Sequence, residues 1–122
     1  MIRFDAFIED MGLDGKDDIL ALYTDFVEEV SELLSLLDAL EQYDDLPTLL
    51  KITHNIKGVC ANLYIDDFAH VALTYEDKLK AASEAPHTLD QSVHRKMIDE
   101  LLHQLSNSKQ EISDYFGLSL TQ

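Results

Sequence analysis

The sequence contains few residues that break or cross-link a chain. Its 122 residues include one cysteine, two prolines, four glycines and no tryptophan. The single cysteine, Cys60, cannot form an internal disulfide, which favours a reducing compartment. The glycines are scattered along the chain, so the glycine-rich phosphate loop of many nucleotide-binding proteins is absent. We therefore expect neither a disulfide-stapled fold nor a self-sufficient ATP-using kinase.

Basic residues are also scarce, and long apolar runs are missing. Nine lysines and arginines stand against 24 acidic residues, which gives a net charge of -15. This charge argues against binding to nucleic acids or anionic membranes. No segment approaches the ~20 apolar residues of a membrane span, and the N-terminus lacks a signal-peptide pattern. We expect a soluble, cytoplasmic protein with one domain over residues 1–122.

Apolar residues recur at helical spacing over long segments, and hairpin signals are weak. The predicted helices cover residues 4–11, 17 or 18 to 43, 46 or 47 to 63 or 64, 67–85 and 89–115. Asp45 and Pro47 suit the start of the third helix, Asp66 the cap of the fourth, and Gly12 the end of the first. The predicted fold is all-α: an antiparallel up-down four-helix bundle with a short extra N-terminal helix.

The third predicted helix differs from the others in charge. Residues 46–65 contain no aspartate or glutamate, although the chain as a whole is strongly acidic. They contain Lys51, Lys57 and His54 instead. The sequence thus predicts one neutral-to-positive strip on an otherwise negative surface.

A helical wheel separates this segment into two faces. Thr53, Ile56 and Cys60 fall within about 40° of Leu49 and form the predicted core side. His54 lies about 140° from Leu49, so we expect its imidazole to face outward. At neutral pH an exposed imidazole is largely unprotonated and nucleophilic.

Gly58 lies one turn beyond His54 on the outward face. A glycine inside a helix costs about 1 kcal/mol relative to alanine, so a compensating reason is expected. One explanation is close packing of a neighbouring helix; the explanation that we favour is a clear approach to His54. Lys57, at i+3 from His54, can hold a phosphate oxygen through a charge-assisted hydrogen bond. Together the three residues predict a phosphoryl acceptor site.

The segment HNIKGVCANL, residues 54–63, resembles the signature of histidine-containing phosphotransfer (HPt) domains. The signature has a histidine, an apolar residue at +2, Lys-Gly at +3 and +4, and small residues after them. A second block, from Phe68 to Glu76, is similar to the spaced apolar positions of the family that end in an acidic residue. The chain departs from the pattern at Val59, often small or serine in the family, and at Tyr64, often glycine.

The resemblance implies a phosphorelay intermediate. His54 would accept a phosphoryl group from the phospho-aspartate of a receiver domain and pass it to another receiver domain. Lys57 would stabilise the phosphoryl charge, and Gly58 would give steric access. A polar side chain from a neighbouring helix often orients the histidine in this family, and the sequence alone does not identify it. The residues implied at the receiver-docking face are Leu50, Lys51, Asn55, Ala61 and Ile65.

The partners implied are the receiver domain of a hybrid histidine kinase and a response regulator. The resemblance implies a phosphocarrier without an ATP site or autokinase activity, rather than an enzyme. No cofactor and no metal are expected in this chain, because the receiver domain supplies the Mg²⁺. We expect a monomer.

Two other hypotheses remain open at this point. The chain could be a non-catalytic helical adaptor that docks a signalling partner without phosphoryl transfer. It could also be a di-metal bundle, since Glu100 and His103 form a Glu-x-x-His pair, and Asp67 and His70 form a weaker acidic variant. Such centres need inward-facing ligands from all four helices, and the third helix has no carboxylate to contribute.

Overall fold

The computed structural model describes residues 2–12, 15–39, 45–85 and 91–117. In this part of the chain the backbone forms five α-helices. They are α1 (Phe4–Met11), α2 (Lys16–Ala39), α3 (Leu46–Asn62), α4 (Asp66–Glu84) and α5 (Gln91–Phe116). An isolated antiparallel bridge between Ile2 and Ile65 joins the start of the chain to the connection between α3 and α4.

The helices α2 to α5 form a closed four-helix bundle. The most extensive contact joins α3 and α4, and α2 contacts both α3 and α5 while α4 contacts α5. The helices α2 and α5 are antiparallel, because Asp38 near the end of α2 pairs with Arg95 near the start of α5. At the opposite end Tyr23 of α2 lies against Phe116 of α5. The predicted all-α bundle with a short N-terminal helix is confirmed.

The start of α3 follows from its sequence. The carboxylate of Asp45 accepts a hydrogen bond from the Thr48 backbone N–H at 3.3 Å and another from the Thr48 hydroxyl at 2.6 Å. Pro47 occupies the first turn, where the missing N–H of proline has no cost. Both features of the predicted helix start are therefore confirmed.

Asp66 does not cap α4 as predicted. The N-cap position is Ile65, and Asp66 lies in the first helical turn. Its carboxylate instead accepts hydrogen bonds from the Arg3 guanidinium at 2.5 and 3.2 Å. A long-range ion pair has thus replaced the local cap. The predicted end of the second helix at residue 43 and the predicted start of the last helix at residue 89 lie outside the described residues.

The core follows the predicted apolar stripes with a shift in α2. Leu34 is buried there, whereas Leu33 is only partly buried and Leu22 is exposed. Cys60 is fully buried, and burial raises the pKa of its thiol, which keeps the sulfur protonated and unreactive. Among the helices in the described ranges, none combines the length and the apolar character that a membrane span requires.

The turn between α3 and α4 has an unusual residue at its centre. Tyr64 has a φ angle of 60°, in the left-handed region that glycine adopts most easily. Its side chain is held from three sides by residues of the N-terminal segment. The Tyr64 hydroxyl donates to the Asp10 carboxylate, the Arg3 guanidinium lies 4.6 Å from the ring centroid, and the Phe7 ring packs edge-on. These contacts offset the strain at a position where the domains that the sequence resembles often have glycine.

Tyr23 fixes the end of α3 from the adjacent helix. Its hydroxyl donates a 2.8 Å hydrogen bond to the carbonyl of Leu63, and the tyrosine is completely buried. The bond connects α2 to the turn that places α4 beside α3. A buried carbonyl without such a partner is costly.

We expect Tyr23→Phe to lower the free energy of unfolding by about 1–3 kcal/mol, because it leaves the Leu63 carbonyl without this donor. Urea denaturation followed by far-ultraviolet circular dichroism measures the change. The matched control is Tyr115→Phe, which removes a hydroxyl bonded to Asp5 on the surface and should change stability by less than about 0.5 kcal/mol. Equal effects of the two substitutions would contradict this assignment.

Candidate functional site

His54 lies on the outer face of α3, as its sequence position predicts. The helix buries its other side through Leu49, Ile52, Thr53, Ile56 and Cys60. The side chain of His54 remains 64% exposed. The imidazole is therefore accessible to a partner molecule while its helix is held firmly by the core.

A buried carboxylate from the neighbouring helix holds the ring. Glu76 of α4 is only 2% exposed, and its Oε2 lies 2.7 Å from Nδ1 of His54. Its Oε1 accepts a 2.9 Å hydrogen bond from the Lys57 ammonium. The ammonium of Lys80 lies 3.6 Å from the same oxygen. Three nitrogen-bearing side chains thus lie within 4 Å of one carboxylate.

Glu76 is ionised because its partners outweigh its burial. Burial by itself raises the pKa of this carboxyl group, since a charged group loses solvation inside the protein. The hydrogen bonds from Lys57 and His54 and the charges of Lys57 and Lys80 act in the opposite direction. The net result is a Glu76 pKa below its ordinary value. A negative charge is therefore fixed beneath the imidazole.

This charge decides which ring nitrogen of His54 is free. An ionised carboxylate can only accept hydrogen bonds, so Nδ1 carries the proton that bonds to Glu76. In the neutral ring Nε2 then keeps its lone pair. The site has the base-and-orienting-carboxylate arrangement that prepares a histidine nitrogen for proton or group transfer.

Gly58 has open space where a side chain would begin. A Cβ atom built on Gly58 meets no atom within 4 Å outside the neighbouring residues and the backbone of its own helix. Close packing of another helix therefore does not explain this glycine. Clearance on the outer face of α3 is the explanation that the geometry favours.

The other residues expected at a docking face differ in their exposure. Lys51, Asn55 and Ala61 are exposed, and Leu50 is partly buried. Ile65 does not fit the expectation, because its side chain is only 3% exposed. It packs in the core and its backbone pairs with Ile2, so it is not available on the docking face.

The sequence pattern assigns Glu76 no role at the site. It marks this residue only as the acidic end of the block that begins at Phe68. A signal was nevertheless present, because Glu76 follows Ala72 by four residues and precedes Leu79 by three, on the apolar stripe of α4. An acid on the buried side of a helix requires a partner.

The residues of the di-metal alternative lie on the outside of the bundle. Glu100 and His103 of α5 are exposed, as are Asp67 and His70 of α4. Over residues 2–12, 15–39, 45–85 and 91–117, no group of three or more histidine, cysteine or acidic side chains is arranged to hold a metal ion. The described structure therefore gives this alternative no support.

Comparison with known proteins gives a family match. The model of the family described as Hpt domain matches residues 21–111, which is more than half of the chain and includes His54, Lys57, Gly58 and Glu76. Searches of the curated proteins and of the solved structures gave no match.

We expect Glu76→Gln to lower stability by about 1–2 kcal/mol at pH 7, because it removes the charge that Lys57 and Lys80 face. Since the folded-state pKa of Glu76 is lowered, its ionisation stabilises the protein above the ordinary glutamate pKa near 4.5 and ceases to do so as the pH falls through the lowered value. The difference between wild type and variant should therefore shrink below about pH 4.5.

Urea denaturation between pH 7 and about pH 3 measures this difference. Glu84→Gln, at the exposed end of the same helix, controls for the loss of one negative charge. If the difference in stability between wild type and Glu76→Gln grows as the pH falls, the predicted direction of this pH dependence is wrong.

Proposed function

The chain belongs to the Hpt domain family, whose members are histidine phosphotransfer modules of two-component phosphorelays, and on this premise we propose that His54 is its phosphoacceptor. His54 receives the phosphoryl group from the phospho-aspartate of one receiver domain and passes it to another. The observation that carries this proposal is the contact between Nδ1 of His54 and the buried Glu76 carboxylate. It leaves Nε2 as an exposed nucleophile at a fixed position.

The transfer step follows from this geometry. The Nε2 lone pair attacks phosphorus, an N–P bond forms, and the P–O bond of the aspartyl phosphate breaks with release of the aspartate carboxylate. The ring becomes positively charged, and the Nδ1–H bond to Glu76 stabilises that charge. Transfer to the second receiver reverses the step, with an aspartate carboxylate as the nucleophile.

Lys57 and Gly58 support the same step in different ways. The Lys57 ammonium is 2.9 Å from Glu76 and its side chain is 27% exposed, so it can turn to a phosphoryl oxygen on His54. Gly58 leaves the approach open for the incoming receiver domain. Both roles are those that the sequence signature implies.

Hpt domains are phosphocarriers that interact with receiver domains, and they are not ATP-binding kinases. We extend this to the present chain as follows. Residues 1–122 act as one domain and as a cytoplasmic monomer, without autokinase activity. The receiver domain of a hybrid histidine kinase is the donor and a response regulator is the acceptor, or the reverse. Each receiver supplies the Mg²⁺, and the chain needs no cofactor of its own.

The proposed docking face surrounds His54 on α3. It consists of Leu50, Lys51, Asn55 and Ala61, of which the last three are exposed. Because residues 46–65 contain no acidic side chain, this face lacks the negative charge of the rest of the chain. An acidic phosphate site on a receiver domain can therefore approach without strong repulsion.

We expect His54→Gln to abolish labelling by a phosphorylated receiver domain, because no nucleophilic nitrogen remains. The measurement is incubation with a panel of phosphorylated receivers, followed by an assay for acid-labile, base-stable phosphate. His70→Gln, which removes an exposed histidine of α4, should leave labelling unchanged. Full labelling of His54→Gln would overturn the proposal. Receiver binding without any phosphate uptake, unaffected by His54→Ala, would instead identify the chain as an adaptor.

Substitutions of Gly58 should separate access from stability. Because a Cβ here meets open space, Gly58→Ala should raise stability by up to about 1 kcal/mol. Gly58→Gln should preserve helicity but slow phosphotransfer by about tenfold or more, since a long side chain stands between His54 and the receiver. Circular dichroism and transfer kinetics measure the two effects. Equal transfer rates for the glutamine variant and the wild type would contradict the access role.

A further inference from the structure

The carboxylate that orients His54 faces a second lysine whose role the proposed function leaves unexplained. Lys80 lies one turn after Glu76 on α4, and its ammonium is 3.6 Å from Oε1. This distance is too long for a hydrogen bond, and the side chain is 63% exposed. Lys57, in contrast, bonds to the same oxygen at 2.9 Å. Oε1 therefore has one tightly bound and one loosely held cation.

The cluster has one more positive charge than Glu76 requires. Apart from His54, the single carboxylate of Glu76 stands against the ammonium groups of Lys57 and Lys80. This surplus occurs in a chain with a net charge of -15. A surplus cation at this point is suited to the arrival of a further negative group.

Phosphorylation of His54 supplies that group. A phosphoryl group on nitrogen carries about two negative charges, by analogy with other phosphorylated side chains. If the Lys57 ammonium turns fully to a phosphoryl oxygen, its hydrogen bond to Oε1 of Glu76 is broken. That carboxylate is only 2% exposed. Its Oε2 keeps the bond to Nδ1–H of His54, but Oε1 loses the hydrogen bond from Lys57, which is unfavourable for a buried oxygen. A replacement cation at Oε1 therefore favours this movement of Lys57.

We propose that Lys80 is a positioning residue for phosphotransfer, which takes the place of Lys57 on Glu76 Oε1 while Lys57 turns to the phosphoryl group on His54. Lys80 can do this because it follows Glu76 by four residues, the spacing that favours a glutamate–lysine pair on a helix. The proposal rests on His54 being the phosphoacceptor. Lys80 itself contacts neither the phosphoryl group nor the receiver.

Phosphoramidate, a chemical donor, tests this proposal without a receiver domain. Its P–N bond breaks with loss of ammonia as the N–P bond forms on His54, and the rate is measured by mass spectrometry. We expect Lys80→Gln to lower the rate about three- to fivefold. Lys80→Arg should restore it to within about twofold, because it returns the cation. The matched control is Lys78→Gln, an exposed lysine of the same helix, which should have no effect.

A second comparison tests whether Lys80 acts through Lys57. In a Lys57→Gln background, Lys80→Gln should lower the rate by less than about twofold further, because no lysine then has to leave Glu76. The melting temperature of unphosphorylated Lys80→Gln should lie close to that of Lys78→Gln, because Lys80 is 63% exposed and only loosely held. A merely structural role would lower the melting temperature together with the rate.

The proposal is overturned if Lys80→Gln and Lys78→Gln are labelled at the same rate, or if Lys80→Arg does not restore the rate. It is also overturned if the effects of Lys80→Gln and Lys57→Gln on the rate are additive. It is also overturned if phosphoramidate does not label His54 at all. Labelling of His54 by phosphoramidate but by no receiver domain would count against the proposed function alone.

Discussion

The buried carboxylate of Glu76 is the group on which the arrangement of the site depends. A charge that is 2% exposed must be satisfied by its neighbours, and here these are His54 and Lys57 from α3 and Lys80 from α4. The requirement fixes the imidazole, selects its tautomer and holds a lysine close to it. The burial of one carboxylate thereby positions three side chains that lie partly or largely at the surface.

The bundle makes this burial possible because it holds α3 and α4 in a fixed position relative to each other. Their contact is the most extensive in the bundle, and the short turn between them is fixed from outside. Tyr23 bonds to the carbonyl of Leu63, and residues of the N-terminal segment surround Tyr64 in its left-handed conformation. The short helix α1 is thus part of the support for the α3–α4 pair rather than an appendage to the bundle.

The distribution of charge in the folded structure differs from its distribution along the sequence. In sequence, residues 46–65 are free of acidic side chains. In the fold, α4 brings a glutamate directly beneath His54, yet this acid is buried and faces two lysines. The exposed surface of α3 therefore keeps its neutral-to-positive character, and the negative charge acts only on the ring nitrogen that faces the protein. The site can therefore orient the histidine and attract a phosphoryl group at the same time.

Local sequence patterns were enough to predict the helices, the start of α3 at Asp45 and Pro47, and the outward direction of His54. Helical periodicity and capping are local properties. The sequence also placed Lys57 and Gly58 beside His54, since i+3 and i+4 neighbours on a helix are set by its geometry. The burial of Ile65, the pairing of Asp66 with Arg3 and the contact of Glu76 with His54 depended on the tertiary structure. His54 and Glu76 are 22 residues apart on different helices, and periodicity within one helix does not define which residues of two helices meet. Packing of the core decided that, and with it which nitrogen of His54 remains free.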